Sequence, residues 1–408
     1  MLQKSPTLSE IYVGYISDKG LRLIASYCGL SLREFEAQVN EYALEAIKSL
    51  CQACPNLRSL SLGNEGDALN GDEIILAVAH HCPLIESMST RLWGLTDAGL
   101  NTMATIHTLR ELDVASDDCT SAAIEPVLKA NPELTFLTFH TPDVDDALVR
   151  CIGGYCGNLK RLKLCQSEDH PTLSDNTMQD LFRGCLKLET LELQQRGGIS
   201  NVALRAMFEH CHNIASLSLS GGTLPEDPLS VGGPVLYTPC SSLAWLHVGD
   251  GGMATSALKD VFTYCINLQG VTLHKCIQLN DEGIKAMAQS CTSLTTLSLW
   301  DCSNVTIAGL VEVATHCISL ERLALFETFI NDDVLIQLSL HCHRLKSLYL
   351  CHCVGGPVTE AGVLAVVDGC INLTSFIIRT RSAVQLSPTL ELLKQGKIYP
   401  RAKFRIGP

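Results

Sequence analysis

The chain has 408 residues, 46 % hydrophobic but only 5 % aromatic, and a formal net charge of −13. This charge weighs against a nucleic-acid partner, because phosphate binding needs a concentrated basic surface. No apolar run approaches the ~20 residues that a bilayer crossing requires, so no membrane span is expected.

The first element is read close to the N-terminus, where Leu8, Ile11 and Val13 mark a short strand and Asp18-Lys19-Gly20-Leu21 opens a helix. The polar start Met1-Leu2-Gln3-Lys4-Ser5-Pro6 carries no secretory signal, so a reducing compartment is expected, the cytoplasm or also the nucleus. Cys51-Gln52-Ala53-Cys54 has a redox-like spacing, but Cys54 also begins a second pattern, Cys54-Leu57-Leu60-Leu62. The same Cys-x-x-Leu-x-x-Leu-x-Leu returns as Cys185-Leu188-Leu191-Leu193, Cys291-Leu294-Leu297-Leu299 and Cys342-Leu345-Leu348-Leu350. Aligned on its first Leu, the Cys column runs Ser5, Cys28, Cys54, Cys82, Ile106, Asn131, Cys156, Cys185, Cys211, Cys240, Cys265, Cys291, Cys317, Cys342 and Cys370. These are 15 repeats, 23 to 29 residues apart. That interval is the leucine-rich-repeat window, in which each unit supplies a strand and a helix and buries its apolar face only against its neighbours. The expected fold is α/β, a leucine-rich-repeat solenoid forming a right-handed βα horseshoe of ribonuclease-inhibitor-like architecture. It is expected over residues 1–386, with 387–408 as a C-terminal cap and basic tail.

One repeat shows the physical logic. In Leu294-Thr295-Thr296-Leu297-Ser298-Leu299 the apolar residues alternate with small polar ones, the period of a strand with one buried face. Ile307 and Leu310 then lead to Val313, Ala314 and Cys317, the stripe of an amphipathic helix that covers the back of the sheet. Asp, Asn or Thr opening each helix is suited to cap its free amides. Of the 20 cysteines, 12 lie in the Cys column, and Cys276, Cys302 and Cys353 form a second column eight residues after the first Leu. Periodic packing therefore explains most thiols, and a free Cys at the helix-to-strand return is a small buried plug.

Further along, Gly221-Gly222-Thr223-Leu224-Pro225-Glu226-Asp227-Pro228 and Gly232-Gly233-Pro234 exclude a regular helix in that repeat and predict an irregular loop. His341-Cys342-His343 with Cys351-His352-Cys353 has zinc-ligand chemistry, but Cys342 and Cys353 fall on the packing columns, so no metal site is expected. Lys394, Lys397, Arg401, Lys403 and Arg405 form a basic cluster read as a solvated terminal cap. Catalytic fingerprints are missing, and no catalytic residue or cofactor is expected.

Function in such an array is expected on the concave sheet face. Its first half reads small and polar, with Ser59, Ser61, Gly63, Ser87, Ser89, Glu111, Asp113 and Thr138. Its second half carries Trp245, His247, His274, Trp300, Phe326 and Tyr349, accompanied by Arg322 and Arg379. Large aromatics and Arg at exposed strand positions are the residue types of binding hot spots. Cross-strand ring packing is the plainer reading of the same column.

The combined pattern, Cys-x-x-Leu-x-x-Leu-x-Leu-x-x-Cys followed by a Thr/Asn-Asp-x-Gly-Leu helix start, fits Cys265 to Cys276, Cys291 to Cys302 and Cys342 to Cys353. It resembles the cysteine-containing leucine-rich repeats of F-box adaptor proteins. The resemblance implies a substrate-recognition subunit of an SCF-type cullin ubiquitin ligase, acting in ubiquitin-dependent degradation and holding a protein substrate on the concave face. Because repeats begin near residue 8, no F-box is read in this chain, and contact with the cullin linker would need an upstream segment. The alternative is a free-standing scaffold or regulatory binding protein without a ligase, like the F-box-free relatives of that family. A ribonuclease-inhibitor type of regulator has longer alternating repeats than these.

Overall fold

The computed structural model describes residues 8–39, 43–64, 70–91, 94–141, 144–166, 172–195, 198–221, 239–250, 253–356, 358–379 and 403–407. The chain divides into two compact units, Met1–Arg196 with Glu209–Asn213, and Gly197–Phe208 with Ile214–Pro408.

The first unit holds the strands β1 (Glu10–Ile16), β2 (Glu34–Val39), β3 (Ser59–Asn64), β4 (Ser87–Arg91), β5 (Glu111–Ala115), β6 (Phe136–His140), β7 (Arg161–Cys165) and β8 (Thr190–Gln194). The second holds β9 (Ser216–Ser220), β10 (Trp245–Gly249), β11 (Gly270–His274), β12 (Thr296–Trp300), β13 (Arg322–Phe326), β14 (Phe329–Ile330), β15 (Ser347–Cys351), β16 (Val354–Gly355), β17 (Ser375–Arg379) and β18 (Lys403–Gly407). Within each unit the repeat strands pair in parallel and in step, so Leu297 lies beside Val271 and Leu323, and Leu60 beside Phe35 and Met88. From β2 to β8 and from β9 to β17, alternate residues of the repeat strands are thereby stacked into a buried wall within each unit, with the helices behind it. The 15 strands read from the Leu spacing are present, and β18 joins β17 as a further strand. Lys403 and Arg405 of the basic cluster stand on β18, whereas Lys394, Lys397 and Arg401 lie outside the described residues. So does most of the Gly/Pro loop, 222–238, and so does Ser5. Among the described residues no helix is long and apolar enough to cross a membrane.

The thiol column does more than fill space. Cys82, Cys185, Cys211, Cys291 and Cys342 each sit just past a helix end and direct the thiol at the carbonyl of the preceding column cysteine, at 3.6–3.8 Å. The same thiols reach the last-turn carbonyls of the preceding helix, as Cys342 does with Ala314 at 3.3 Å. A helix end leaves its last carbonyls unpartnered, and a weak S–H donor is what the buried turn supplies. Asn131 takes the column position in its repeat and donates to the preceding column carbonyl, Ile106, and to Val127 of its own helix, while accepting from the Leu109 amide. All 20 cysteines are free.

At the other helix end, acidic residues link neighbouring repeats. Asp72, Asp97, Asp146, Asp281 and Asp332 each accept both the amide and the hydroxyl of the Thr or Ser that caps the next helix. For Asp281 these bonds run from Thr306, at 2.7 and 2.6 Å. Asp97 holds Thr120 at 2.7 and 2.8 Å, and Asp332 holds Thr359 at 2.8 and 2.5 Å. Thr306 accepts in turn from Ala308, capping its own helix. The carboxylate also explains a Gly in the first turn of three of these helices. A Cβ on Gly309 would stand 2.5 Å from Asp281 Oδ1, and one on Gly99 or Gly362 would stand 2.3 Å from Asp72 or Asp332.

Burial pushes Cys54, Cys156, Cys291 and Cys317 up to about 12, so these thiols are inert near neutrality. Half-buried Cys240 runs the other way. A hydrogen bond from Cys265 holds it down at about 5 against desolvation, helped by Ser242 and the amides of Ser242 and Leu243.

Two expected outcomes follow. Gly309→Ala should destabilise the chain by about 1–3 kcal/mol through overpacking, although Ala is the better helix former by ~1 kcal/mol. In an Asp281→Ala background the same change should become neutral or stabilising, which urea unfolding of the four proteins would reveal. Cys240 should be alkylated by iodoacetamide in the native protein at a rate already level above pH about 6, since its thiolate forms near 5. A rate still rising tenfold per pH unit up to pH 8 would contradict that.

Candidate partner-binding face

The parallel register of the second unit sorts its outward side chains into three columns. The first runs Trp245, Gly270, Thr296, Arg322, Ser347, Ser375 and Lys403. The middle one runs His247, Thr272, Ser298, Ala324, Tyr349, Ile377 and Arg405, and the third Gly249, His274, Trp300, Phe326, Cys351, Arg379 and Gly407. Residues about 26 apart in the chain thus become neighbours about 4.8 Å apart.

The third column carries the main contact cluster. Trp300 and Phe326 stack with ring centroids 3.7 Å apart and planes inclined by 21°, and His274 meets the indole edge-on at 6.1 Å. The indole N–H of Trp300 donates to Ser298 Oγ at 2.7 Å, which fixes the ring over its own strand. Even so, Trp300 keeps 40 % of its surface in water. Cross-strand packing on both sides, by Phe326 and by the edge of His274, therefore accounts for part of the indole surface, and the rest meets solvent. His274 Nδ1 lies 3.5 Å from Asp250, which Lys275 also approaches at 3.6 Å.

The remaining aromatics are held differently. Trp245, 46 % exposed, lies flat on Gly270, where a Cβ would stand 2.2 Å from its six-membered ring. Tyr349 accepts from Ser375 Oγ at 3.5 Å in the middle column. His247 opens that column four strand steps from Tyr349, so these two are not brought together. Arg322 and Arg379 are exposed on either side of the aromatic stack, Arg379 with Cys351 between it and Phe326.

Just beyond the strands stands a further row. Asp250, Lys275, Asp301, Glu327 and His352 follow β10, β11, β12, β13 and β15, all with φ between 45° and 54°. Left-handed backbone at a non-glycine residue costs about 1–3 kcal/mol. In exchange each amide bonds the last carbonyl of the next strand, as Asp301 does with Phe326 at 2.9 Å. The turn also drops Cys276, Cys302, Thr328 or Cys353 into the wall below. Two of the three cysteines of the zinc-like stretch are spent in packing, Cys342 on the Ala314 carbonyl and Cys353 on the Leu325 carbonyl, each at 3.3 Å. Among the described residues no group of three ligand side chains converges on a metal position.

The face of the first unit is dominated by paired charges and small hydroxyls. Lys163 pairs with Glu192 at 2.8 Å, Ser87 donates to Glu111 and Ser89 to Asp113. Its exposed aromatics, Tyr12 and Tyr15, flank a bulge at Gly14 in β1, and Tyr12 donates to Glu34. The bulge breaks the period of two that would mark both as outward in the sequence. Lys403 and Arg405, expected in a terminal cap, stand instead on the face of the second unit. Lys403-Phe404-Arg405-Ile406-Gly407 repeats the alternation of Ser375-Phe376-Ile377-Ile378-Arg379, which was the signal available.

No protein-family model matches the chain. Over 248 residues it is 27 % identical to coronatine-insensitive protein homolog 2 of Oryza sativa, in both subsp. indica and subsp. japonica, covering 60 % of this chain and 38 % of the relative. The chain is a leucine-rich-repeat protein. Coronatine-insensitive protein homolog 1b of Oryza sativa subsp. japonica is 26 % identical over 202 residues, 48 % of this chain and 31 % of its own. This leucine-rich-repeat protein thus spans well under half the length of the curated relatives it matches. Among solved structures, the yeast Rad7 and Elc1 complex has a TM-score of 0.48 at 17 % identity, covering 94 % of this chain and 80 % of that one. The TLR13–ssRNA13 complex has a TM-score of 0.45 at 14 % identity, covering 98 % and 62 %.

If Gly270 is the seat of Trp245, Gly270→Ala must lift the indole from the sheet. In a Trp93→Phe, Trp300→Phe background, acrylamide quenching of the remaining tryptophan should rise; unchanged quenching would show that the ring rests elsewhere.

Proposed function

We propose that this chain is a non-enzymatic protein-interaction module that captures a partner protein on the sheet face of its second unit, in the cytoplasm or nucleus. The observation behind this reading is the Trp300–Phe326 stack, which leaves 40 % of an indole exposed on a face that also carries Arg322 and Arg379. Aromatic and Arg side chains clustered on a rigid face are what a binding hot spot uses. Within this reading the chain serves as the substrate-recognition subunit of an SCF-type cullin ubiquitin ligase in ubiquitin-dependent degradation. Support for that role comes from the resemblance of its Cys-columned repeats to those of F-box adaptors. Contact with the cullin linker is then made by a segment outside the repeats. A free-standing scaffold or regulatory binding protein would use the same face without a ligase.

Affinity capture from cells separates the two roles. Recovery of a cullin and its linker with the tagged chain supports the adaptor, and a partner recovered without them supports the scaffold. Trp300→Ala combined with Phe326→Ala should abolish capture of the partner while moving the thermal transition by only a few degrees, since a stacked pair adds about 0.5–1.5 kcal/mol beyond its burial. Unaltered capture would refute the assignment of the face.

A further inference from the structure

We infer that the segment seated on this face is an acidic, extended peptide with one apolar anchor, running from the Trp300–Phe326 stack across the strands toward β18. The inference rests on the face being the partner site and concerns what it selects.

Four cations mark the route. Arg322, Arg379, Lys403 and Arg405 are all exposed on β13, β17 and β18, and among the described residues none has a carboxylate within ion-pair distance. Neighbouring cations are neutralised, Lys346 by Glu321 at 2.7 Å and Lys275 by Asp250 at 3.6 Å. Four positive charges without an ion pair among the described residues, in a chain of net charge −13, are a local exception. Long-range repulsion keeps an acidic segment off most of the molecule, and the cluster draws it to one place, which sets orientation and association rate more than raw affinity. The row just past the aromatic column confines it further. It carries Asp301 and Glu327 beside the Asp250–Lys275 pair, so acidic residues are turned away from that edge and toward β17 and β18.

Geometry sets the spacing. From β12, which carries Trp300, to β17, which carries Arg379, there are three ladder steps, about 14 Å at the parallel strand spacing. One more step, to about 19 Å, reaches Lys403 and Arg405 on β18. An extended chain covers about 3.4 Å per residue, so the acidic residues should follow the anchor by about four to six positions. A single-stranded nucleic acid also uses aromatics and cations, but four cations in so acidic a chain favour a peptide.

Panning a displayed library of random twelve-residue peptides against the full chain tests this. The expected clones carry an aliphatic or aromatic anchor with Asp and Glu enriched at least threefold four to six positions away. They should lose binding at least tenfold both to Trp300→Ala with Phe326→Ala and to Arg322→Glu with Arg379→Glu. Clones that need the aromatic pair but show no acidic excess, or tolerate the charge reversal, overturn the acidic partner and leave the face itself standing. Clones indifferent to the aromatic pair, or no clones at all, overturn both. Displacement of the clones by a uridine twelve-mer at lower concentration than by the peptides themselves also overturns the proposal, in favour of nucleic acid.

Discussion

A single repeat of about 26 residues cannot bury its own apolar face, and everything else in this molecule follows from that constraint. Leu297 is dry only because Val271 and Leu323 lie on either side of it in the same register. The helices obey the same condition. Asp281 satisfies the cap of the next helix through Thr306, and Cys291 answers carbonyls of the repeat before it. Each repeat therefore carries half of an interaction whose other half lies one repeat away, at both ends of its helix and along its strand.

Register is also what makes a surface out of distant residues. Side chains alternate with a period of two, so a slip of one residue would turn Leu299 outward and bury Trp300. Held in step, the same alternation delivers His274, Trp300 and Phe326 to one outward column although they are 26 residues apart in sequence. The left-handed residues after β10 to β15 belong to the same scheme. Their strain is offset by an amide bond to the next strand and, after Lys275, Asp301 and Glu327, by the burial of the residue that follows. They also place a row of charged side chains along the edge of the aromatic column, so the feature that closes each turn also shapes the electrostatics of the face.

Much of this was legible in the sequence, because a repeat states its buried positions again and again. The strands, the helices that follow them and the outward columns could all be numbered from the Leu spacing. What escaped has a common physical cause: the partner that gives a residue its meaning lies in another repeat. The Gly of Asp97-Ala98-Gly99-Leu100 looks like a helix defect until the Asp72 carboxylate is found where the Cβ of residue 99 would go. Trp245 needs the absence of a side chain at 270 to lie flat. The column cysteines could be placed as buried plugs, but their role as donors depends on carbonyls of the preceding helix. Lys403 and Arg405 were read as a tail because no Cys column precedes them, and their place on the face comes from pairing with β17.

The central claim is that partner recognition belongs to the outward columns of the second unit and not to the helices behind them. Hydrogen–deuterium exchange on the full chain, alone and with the partner recovered from cells, tests it most directly. The account predicts new protection at the strand amides of residues 296–300, 322–326, 347–351 and 375–379 and in the turns that follow them, with the helices Asp281–Ser290 and Ile307–His316 unchanged. Protection confined to those helices, or to the face of the first unit, would contradict it.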